Sequence, residues 1–162
     1  MTHALIPGSF DPMTLGHLDI VTRACAEYDK VTVAVMINDS KTYAHSIEER
    51  AEMARLTVAH LPQVQVVTDR GMLVDLFDRI GADVIVKGVR NEKDRAYEEQ
   101  MAAYNLSKNP RAKTVLLPAD PALDALSSTA VREILAKGER PEGLLAPAVL
   151  DYLAARGECP AK

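Results

Sequence analysis

"VTVAVMI" at 31–37 and "DVIV" at 83–86 are nearly continuous apolar runs. A strand reads this way when both of its faces are covered, as in a parallel sheet with helices on either side. A half-solvated antiparallel strand would instead alternate apolar and polar residues, so this one feature removes most architectures. β-type runs recur at His3–Ile6, Val64–Val67 and Thr114–Leu117. With Val31–Ile37 and Asp83–Val86, five strands are predicted.

Helical patterns fill the intervals, at about 16–28, 46–60, 72–81 and 94–108. "SIEE" at 46–49 has the Ser-x-x-Glu form of a capping box, which predicts a helix start at Ser46. Beyond the fifth strand, "SSTAVREILAKG" reads as a helix ended by Gly138. "PAVLDYLAARG" reads as one running from Pro147 to Gly157. Strands alternating with helices through right-handed crossovers predict an α/β fold, a Rossmann-like doubly wound five-stranded parallel sheet. No repeat, low-complexity tract or linker interrupts the pattern. Residues 1–162 therefore read as a single domain, with C-terminal helices from about 128.

The charge balance narrows the function. A net charge of −4 argues against a broad polyanion-binding surface, so no nucleic-acid partner is expected, although a local cationic pocket is compatible with it. No apolar run approaches a membrane span, and the N-terminus lacks the layout of a signal peptide. Cys25 and Cys159 lie far apart without metal-ligand spacing, and Cys25 falls in an apolar helical pattern, as a reduced core thiol would. The expectation is a cytoplasmic protein with no membrane association. His3, His45 and His60 have no partner spacing for a metal and are expected to be structural or exposed.

Ligands of open parallel sheets sit beyond the carboxyl ends of the strands. Segments 7–17, 38–43, 87–95 and 118–129 follow four predicted strands and are expected to share one rim. In "PGSFDPMTLGH", Pro7-Gly8 is expected to turn the backbone tightly, Gly8 removing a side chain that would keep a phosphate away. Thr14, Gly16 and His17 open a helix whose free N–H groups and positive dipole end favour an anion. Ser9 and His17 are placed to donate to phosphate oxygens. In "KGVR", Lys87 and Arg90 flank a glycine as two cations at a strand exit, a phosphate-ligand pattern. Ser127, Ser128 and Thr129 offer hydroxyls and free N–H groups at another helix start, with Arg132 following.

"GSFDPMTLGH" closely resembles the T/H-x-G-H signature of the nucleotidyltransferase superfamily. "LSSTAVREI" at 126–134 resembles its second motif, I-S-S-[ST]-x-x-[RK]. "NDSK" after the second strand and "VKGVRNEKDRAYEEQMAAYN" after the fourth resemble the phosphopantetheine adenylyltransferases of bacterial coenzyme A synthesis. The resemblance runs from about residue 4 to 155. It implies the nucleotidyltransferase fold and Mg2+-assisted transfer of AMP from ATP to 4′-phosphopantetheine without a covalent enzyme intermediate. It also implies a homohexamer and possible feedback binding of coenzyme A. An adenylyl- or cytidylyltransferase for another phosphate acceptor, such as nicotinate mononucleotide, is the alternative, and a nucleotide-binding regulator without catalysis is a third reading.

By the same resemblance, His17 and Lys41 are catalytic. Ser9, Phe10, His17, Gly88, Val89, Arg90 and Glu98 belong to the ATP site, joined by Leu123, Asp124, Ala125, Leu126, Ser127, Ser128 and Thr129. Ser9, Lys41, Leu73 and Lys87 belong to the acceptor site, though Leu73 reads equally well as ordinary core. Magnesium rides on the ATP phosphates and no metal site made by the protein alone is expected. Four positions depart from the family pattern. Lys87 stands where many relatives carry arginine, Arg95 replaces an aromatic, and Leu123 and Ala125 replace aromatics before the serines.

Overall fold

The computed structural model covers residues 1–162. Five strands alternate with helices along the chain, which closes on two consecutive helices. β1 (His3–Gly8), α1 (Leu15–Glu27), β2 (Lys30–Met36), α2 (Ile47–Val58) and β3 (Val64–Asp69) form the first half. α3 (Leu73–Arg79), β4 (Val84–Val89), α4 (Glu92–Lys108), β5 (Thr114–Pro118), α5 (Ser128–Ala136) and α6 (Pro147–Ala155) complete it. The strands make one parallel sheet in the order β3-β2-β1-β4-β5. This is the doubly wound arrangement expected from the alternation, with its switch point between β1 and β4.

Apolar runs are buried on both faces because alternate residues point to opposite sides. Ala4, Ile6, Val31, Val33, Val35, Val84 and Val86 face Ile20, Val21 and Ala24 of α1 and Ile47, Ala51 and Val58 of α2. On the other face Leu5, Ala34 and Ile85 pack with Val74, Leu76 and Phe77 of α3. Burying a side chain like Phe77 contributes about 1.5–3 kcal/mol. A third cluster joins Met53 of α2 to Val131 of α5 and to Val149, Leu150 and Leu153 of α6. The C-terminal helices are thereby fixed to the back of α2.

All strands but β2, which stops at Met36, run past their sequence-predicted ends, and this matters for the site. β1 continues through Pro7 and Gly8, and β4 through Lys87, Gly88 and Val89. Pro7-Gly8 is therefore strand, not turn. β1 pairs with β2 as far as Gly8↔Val35, but with β4 only at Ala4↔Val84 and Leu5↔Ile85. Proline has no N–H to give a second neighbour. Beyond Leu5 the two strands are no longer paired, and a cleft opens between them.

Candidate active site

Residues from all four segments following the strands line one cleft of about 620 Å³. Its floor is the parting of β1 and β4. Its rim is made by the loop after β2, the start of α4 and the start of α5.

The bend after β1 is the most tightly determined part. Phe10 has φ 49°, a left-handed conformation costly for an L side chain. Its buried ring packs over Gly8, where an added Cβ would lie 2.8 Å from Cζ. Gly8 thus makes room for Phe10 rather than directly for a phosphate, a correction to the sequence reading. The Phe10 ring stands edge-on to the His17 imidazole, centroids 5.0 Å apart. Asp11–Pro12 is a cis peptide, and Met13 and Thr14 are buried beneath it.

Thr14 caps α1 in a reciprocal box whose second member is His17. The Thr14 hydroxyl accepts the His17 N–H at 3.3 Å, and the Thr14 N–H donates to His17 Nδ1 at 2.9 Å. A backbone N–H can only donate, so Nδ1 is unprotonated and a neutral ring carries its proton on Nε2. The ring lines the cleft. Burial, followed by the positive charges of Lys87 and Arg90, lowers its pKa to about 4. His17 is therefore a neutral hydrogen-bond donor at physiological pH.

Ser9 and Phe10 both line the cleft, and so do Lys41 and Leu73. Lys41 is exposed in a loop ordered by short-range bonds: its N–H donates to Asn38 O at 2.9 Å, and the Asn38 N–H donates to the Tyr43 hydroxyl at 2.7 Å. Leu73 opens α3 and packs on the second core cluster, so it serves both surfaces considered for it.

Lys87 and Arg90 face the cleft already engaged. Lys87 Nζ lies 3.1 Å from Glu98 Oε2, and Arg90 Nε lies 3.1 Å from Asp94 Oδ2. Gly88 admits α1, because a Cβ there would lie 2.8 Å from Ile20 Cγ1. Val89 is buried and does not line the cleft; its carbonyl accepts the Ala119 N–H at 2.7 Å. The strand carries on through this position, so the side chain leaves from a sheet face rather than lining the cleft.

The second motif touches the first. The Ser128 hydroxyl donates to Pro12 O at 2.7 Å, and Arg132 donates to Asp11 O at 2.8 Å. Gly16 has the Leu126 carbonyl 3.6 Å from where its Cβ would stand. Ser127 caps α5 by accepting the Ala130 N–H at 3.1 Å. Both serine hydroxyls are thus engaged within the protein, while the first N–H groups of α5 have no partner within the helix. Leu123, Leu126, Ser127, Ser128 and Thr129 line the cleft, but Asp124 and Ala125 are exposed outside it. They lie on a turn whose outer face they occupy.

The sequence does not single out Arg50, and the partners of Asp11 and of His45, the latter expected to be structural or exposed, become visible only here. Arg50 is buried on α2 and donates to Ser9 O at 2.8 Å, Met36 O at 3.0 Å and His45 O at 3.2 Å, with Tyr43 stacked over its guanidinium. Asp11 accepts from the Ala44 N–H at 2.7 Å and meets His45 Nδ1 at 2.8 Å. The signals available, an arginine in a helix and a histidine in a loop, are ordinary ones. Of the remaining histidines, His3 is buried against Thr32 and His60 is exposed.

Comparison with known proteins places this arrangement. The model of the cytidylyltransferase-like family matches residues 5–134. A phosphopantetheine adenylyltransferase of Limosilactobacillus fermentum is 41% identical over 158 residues, covering 98% of this chain and 91% of that protein. One from Symbiobacterium thermophilum is 44% identical over 147 residues, covering 91% of each. Among solved structures, a Vibrio parahaemolyticus protein provisionally named nicotinate-nucleotide adenylyltransferase superposes with a TM-score of 0.74. It is 19% identical, covers 98% of this chain and 95% of its own, and speaks for the fold alone. With both motifs packed against each other and this similarity running nearly end to end, the chain belongs to the phosphopantetheine adenylyltransferase family of nucleotidyltransferase enzymes.

Proposed function

We propose that the cleft transfers the adenylyl group of ATP to 4′-phosphopantetheine, giving dephospho-coenzyme A and pyrophosphate, a step of coenzyme A biosynthesis. The observation that carries this reading is a cleft furnished with a neutral N–H donor and cations but with no activated nucleophile. An acceptor phosphate is already nucleophilic, so the protein needs only to align it and disperse charge. An oxygen of that phosphate attacks the α-phosphorus in line. The bond from the α-phosphorus to the β-bridging oxygen breaks, and its electron pair leaves with pyrophosphate.

His17 donates from Nε2 to an α-phosphate oxygen, where negative charge crowds in the transition state. Lys41 and Ser9 hold the acceptor phosphate, with Leu73 along the apolar arm. Gly88, Arg90, Phe10 and the 126–129 turn lie on the ATP side. Lys87 reaches the acceptor by exchanging its Glu98 carboxylate for a ligand oxygen, which ties acceptor binding to movement of Glu98 within the ATP site.

Each carboxylate lining the cleft is paired: Asp11 with His45, Asp94 with Arg90 and Glu98 with Lys87. Such a site fits a magnesium ion that brings its own oxygens on the ATP phosphates. When bound there, the ion neutralises phosphate charge.

The same reading includes assembly into a homohexamer. Tyr97 (58% exposed), Met101 and Tyr104 share one face of α4, the first two beside the cleft mouth, and give an exposed apolar stripe suited to self-association. Light scattering tests this. Coenzyme A, which shares the pantetheine arm, is a candidate feedback ligand, measurable by calorimetry. The reading also puts the enzyme in the cytoplasm; no helix is long and apolar enough to cross a membrane. Pyrophosphate release is the central test: turnover is expected with ATP and 4′-phosphopantetheine, and turnover with nicotinate mononucleotide instead would reassign the acceptor.

A further inference from the structure

His45 sits where the catalytic bend, the loop carrying Lys41 and the C-terminal segment meet. Its Nδ1 lies 2.8 Å from Asp11 Oδ1 and its Nε2 lies 2.6 Å from Glu158 Oε1. The imidazole and the Asp11 carboxylate are 3% and 4% exposed, while Glu158 reaches the surface at 30%. A neutral imidazole has one N–H, so one ring nitrogen would present a lone pair to a carboxylate. Only the doubly protonated ring satisfies both partners.

We infer that His45 is a positioning residue for adenylyl transfer. Clamped between Asp11 and Glu158, it holds the phosphate-facing bend in place and ties its shape to the docking of the C-terminal segment. Asp11 is the lever. Its side chain also accepts the Ala44 N–H, fixing the loop three residues after Lys41, and its carbonyl accepts from Arg132. Loosening Asp11 therefore disturbs Ser9, Phe10 and Lys41 together. Arg50 supports the same junction from α2 through Ser9 O and His45 O.

The surrounding charges favour the imidazolium. Around it stand Asp11 from the bend, Glu158 from the C-terminal segment, and Glu49 and Arg50 from α2. Arg156, at the end of α6, pairs with both Glu49 and Glu158, and Arg132 of α5 faces Asp11. The Asp11 hydrogen bond raises the His45 pKa and burial opposes it, with Glu158 adding to the rise. Burial alone would raise the Asp11 carboxyl, but the His45 and Ala44 hydrogen bonds outweigh it and hold it below its ordinary range. For His45 the folded value exceeds the unfolded 6.5. Its stabilisation is thus complete below 6.5 and lost as pH rises through the folded value. For Asp11 the folded value is below 3.8, so its contribution is present above 3.8 and lost as pH falls through the folded value.

The inference rests on the reaction proposed above, and its test separates the two. In the intact protein, NMR follows the His45 ring and the amides of Ser9, Phe10 and Asp11 on alkaline titration. The amides are expected to move with the ring's midpoint, and Glu158→Gln is expected to lower that midpoint by about one pH unit. Amides that stay still while the ring titrates overturn the inference, whatever the substrate proves to be. In turnover, kcat/KM is expected to fall on the alkaline side as the His45 ring loses its second proton, and His45→Gln is expected to raise the acceptor KM about tenfold near neutral pH and to abolish that fall. Glu158→Gln, a substitution at a partly exposed side chain, is expected to shift that fall toward neutrality even where His45→Gln does not fold. An alkaline limb left in place by Glu158→Gln, with only a lower melting temperature, reduces the cluster to a structural clamp and overturns the inference.

Discussion

The two walls of the cleft are built on different principles. The wall from β1 to α1 is prearranged: Phe10 is locked over Gly8, His17 is held by Thr14, and Arg50 pins the Ser9 carbonyl. The opposite wall, from β4 to α4, keeps its cations in ion pairs, Lys87 with Glu98 and Arg90 with Asp94, at side chains roughly one- to two-fifths exposed on the basic partner. A donor aimed at a transition state gains from rigidity, since no reorganisation is needed when charge develops. Cations that receive and release phosphates gain from exchangeable partners, because their charge is compensated before the ligand arrives. On the reaction proposed above, one wall serves the chemical step and the other the traffic of substrates.

That division can be attacked from either side. The largest effect is expected at His17. His17→Ala should lower kcat by roughly 10²- to 10³-fold while ATP affinity stays within a few-fold. Unchanged kcat in a stopped assay of pyrophosphate release would remove the ring from the chemical step. Next comes Arg50→Met, which removes the guanidinium donor from one buried and two partly buried carbonyls. A loss of about 3 kcal/mol is expected, lowering the melting temperature by roughly 6–12 °C. A melting curve unmoved by the change would mean that the rigid wall stands without its guanidinium. Lys41→Ala, on an exposed loop, should raise the acceptor KM about tenfold and slow turnover. An effect confined to ATP would contradict its assignment to the acceptor. The smallest effect belongs to Asp94→Asn, because exposed ion pairs contribute little. Stability should stay within about 0.5 kcal/mol and ATP affinity within about threefold, measured by calorimetry at two salt concentrations. A large loss of stability there would erase the contrast between the walls.

The fold was legible because its signals are local and strong. Continuous apolar runs mean covered strands, "SIEE" forms the capping box it suggested, and Gly138 and Gly157 take positive φ where their helices stop. Strand ends were harder to read, since Pro7-Gly8 and Gly88 look like turns until pairing partners and ring contacts are known. At the cleft, motif residues were visible by resemblance, but which of them face inward was not. Val89 and the Asp124-Ala125 pair turn away for reasons of strand and turn geometry that single residues do not encode. Least legible was the support. Arg50 and His45 act through contacts with residues distant in sequence, and a buried arginine looks like any other arginine in a helix.

The contacts that close the cleft and brace the bend beside it join parts of the chain far apart in sequence. Ser128 to Pro12, Arg132 to Asp11 and Glu158 to His45 span 116, 121 and 113 residues. During synthesis, His17 leaves the ribosome early, yet the turn that faces it and the carboxylate that steadies its neighbourhood arrive among the final residues. A polypeptide released prematurely therefore carries the first signature motif but no closed nucleotide site.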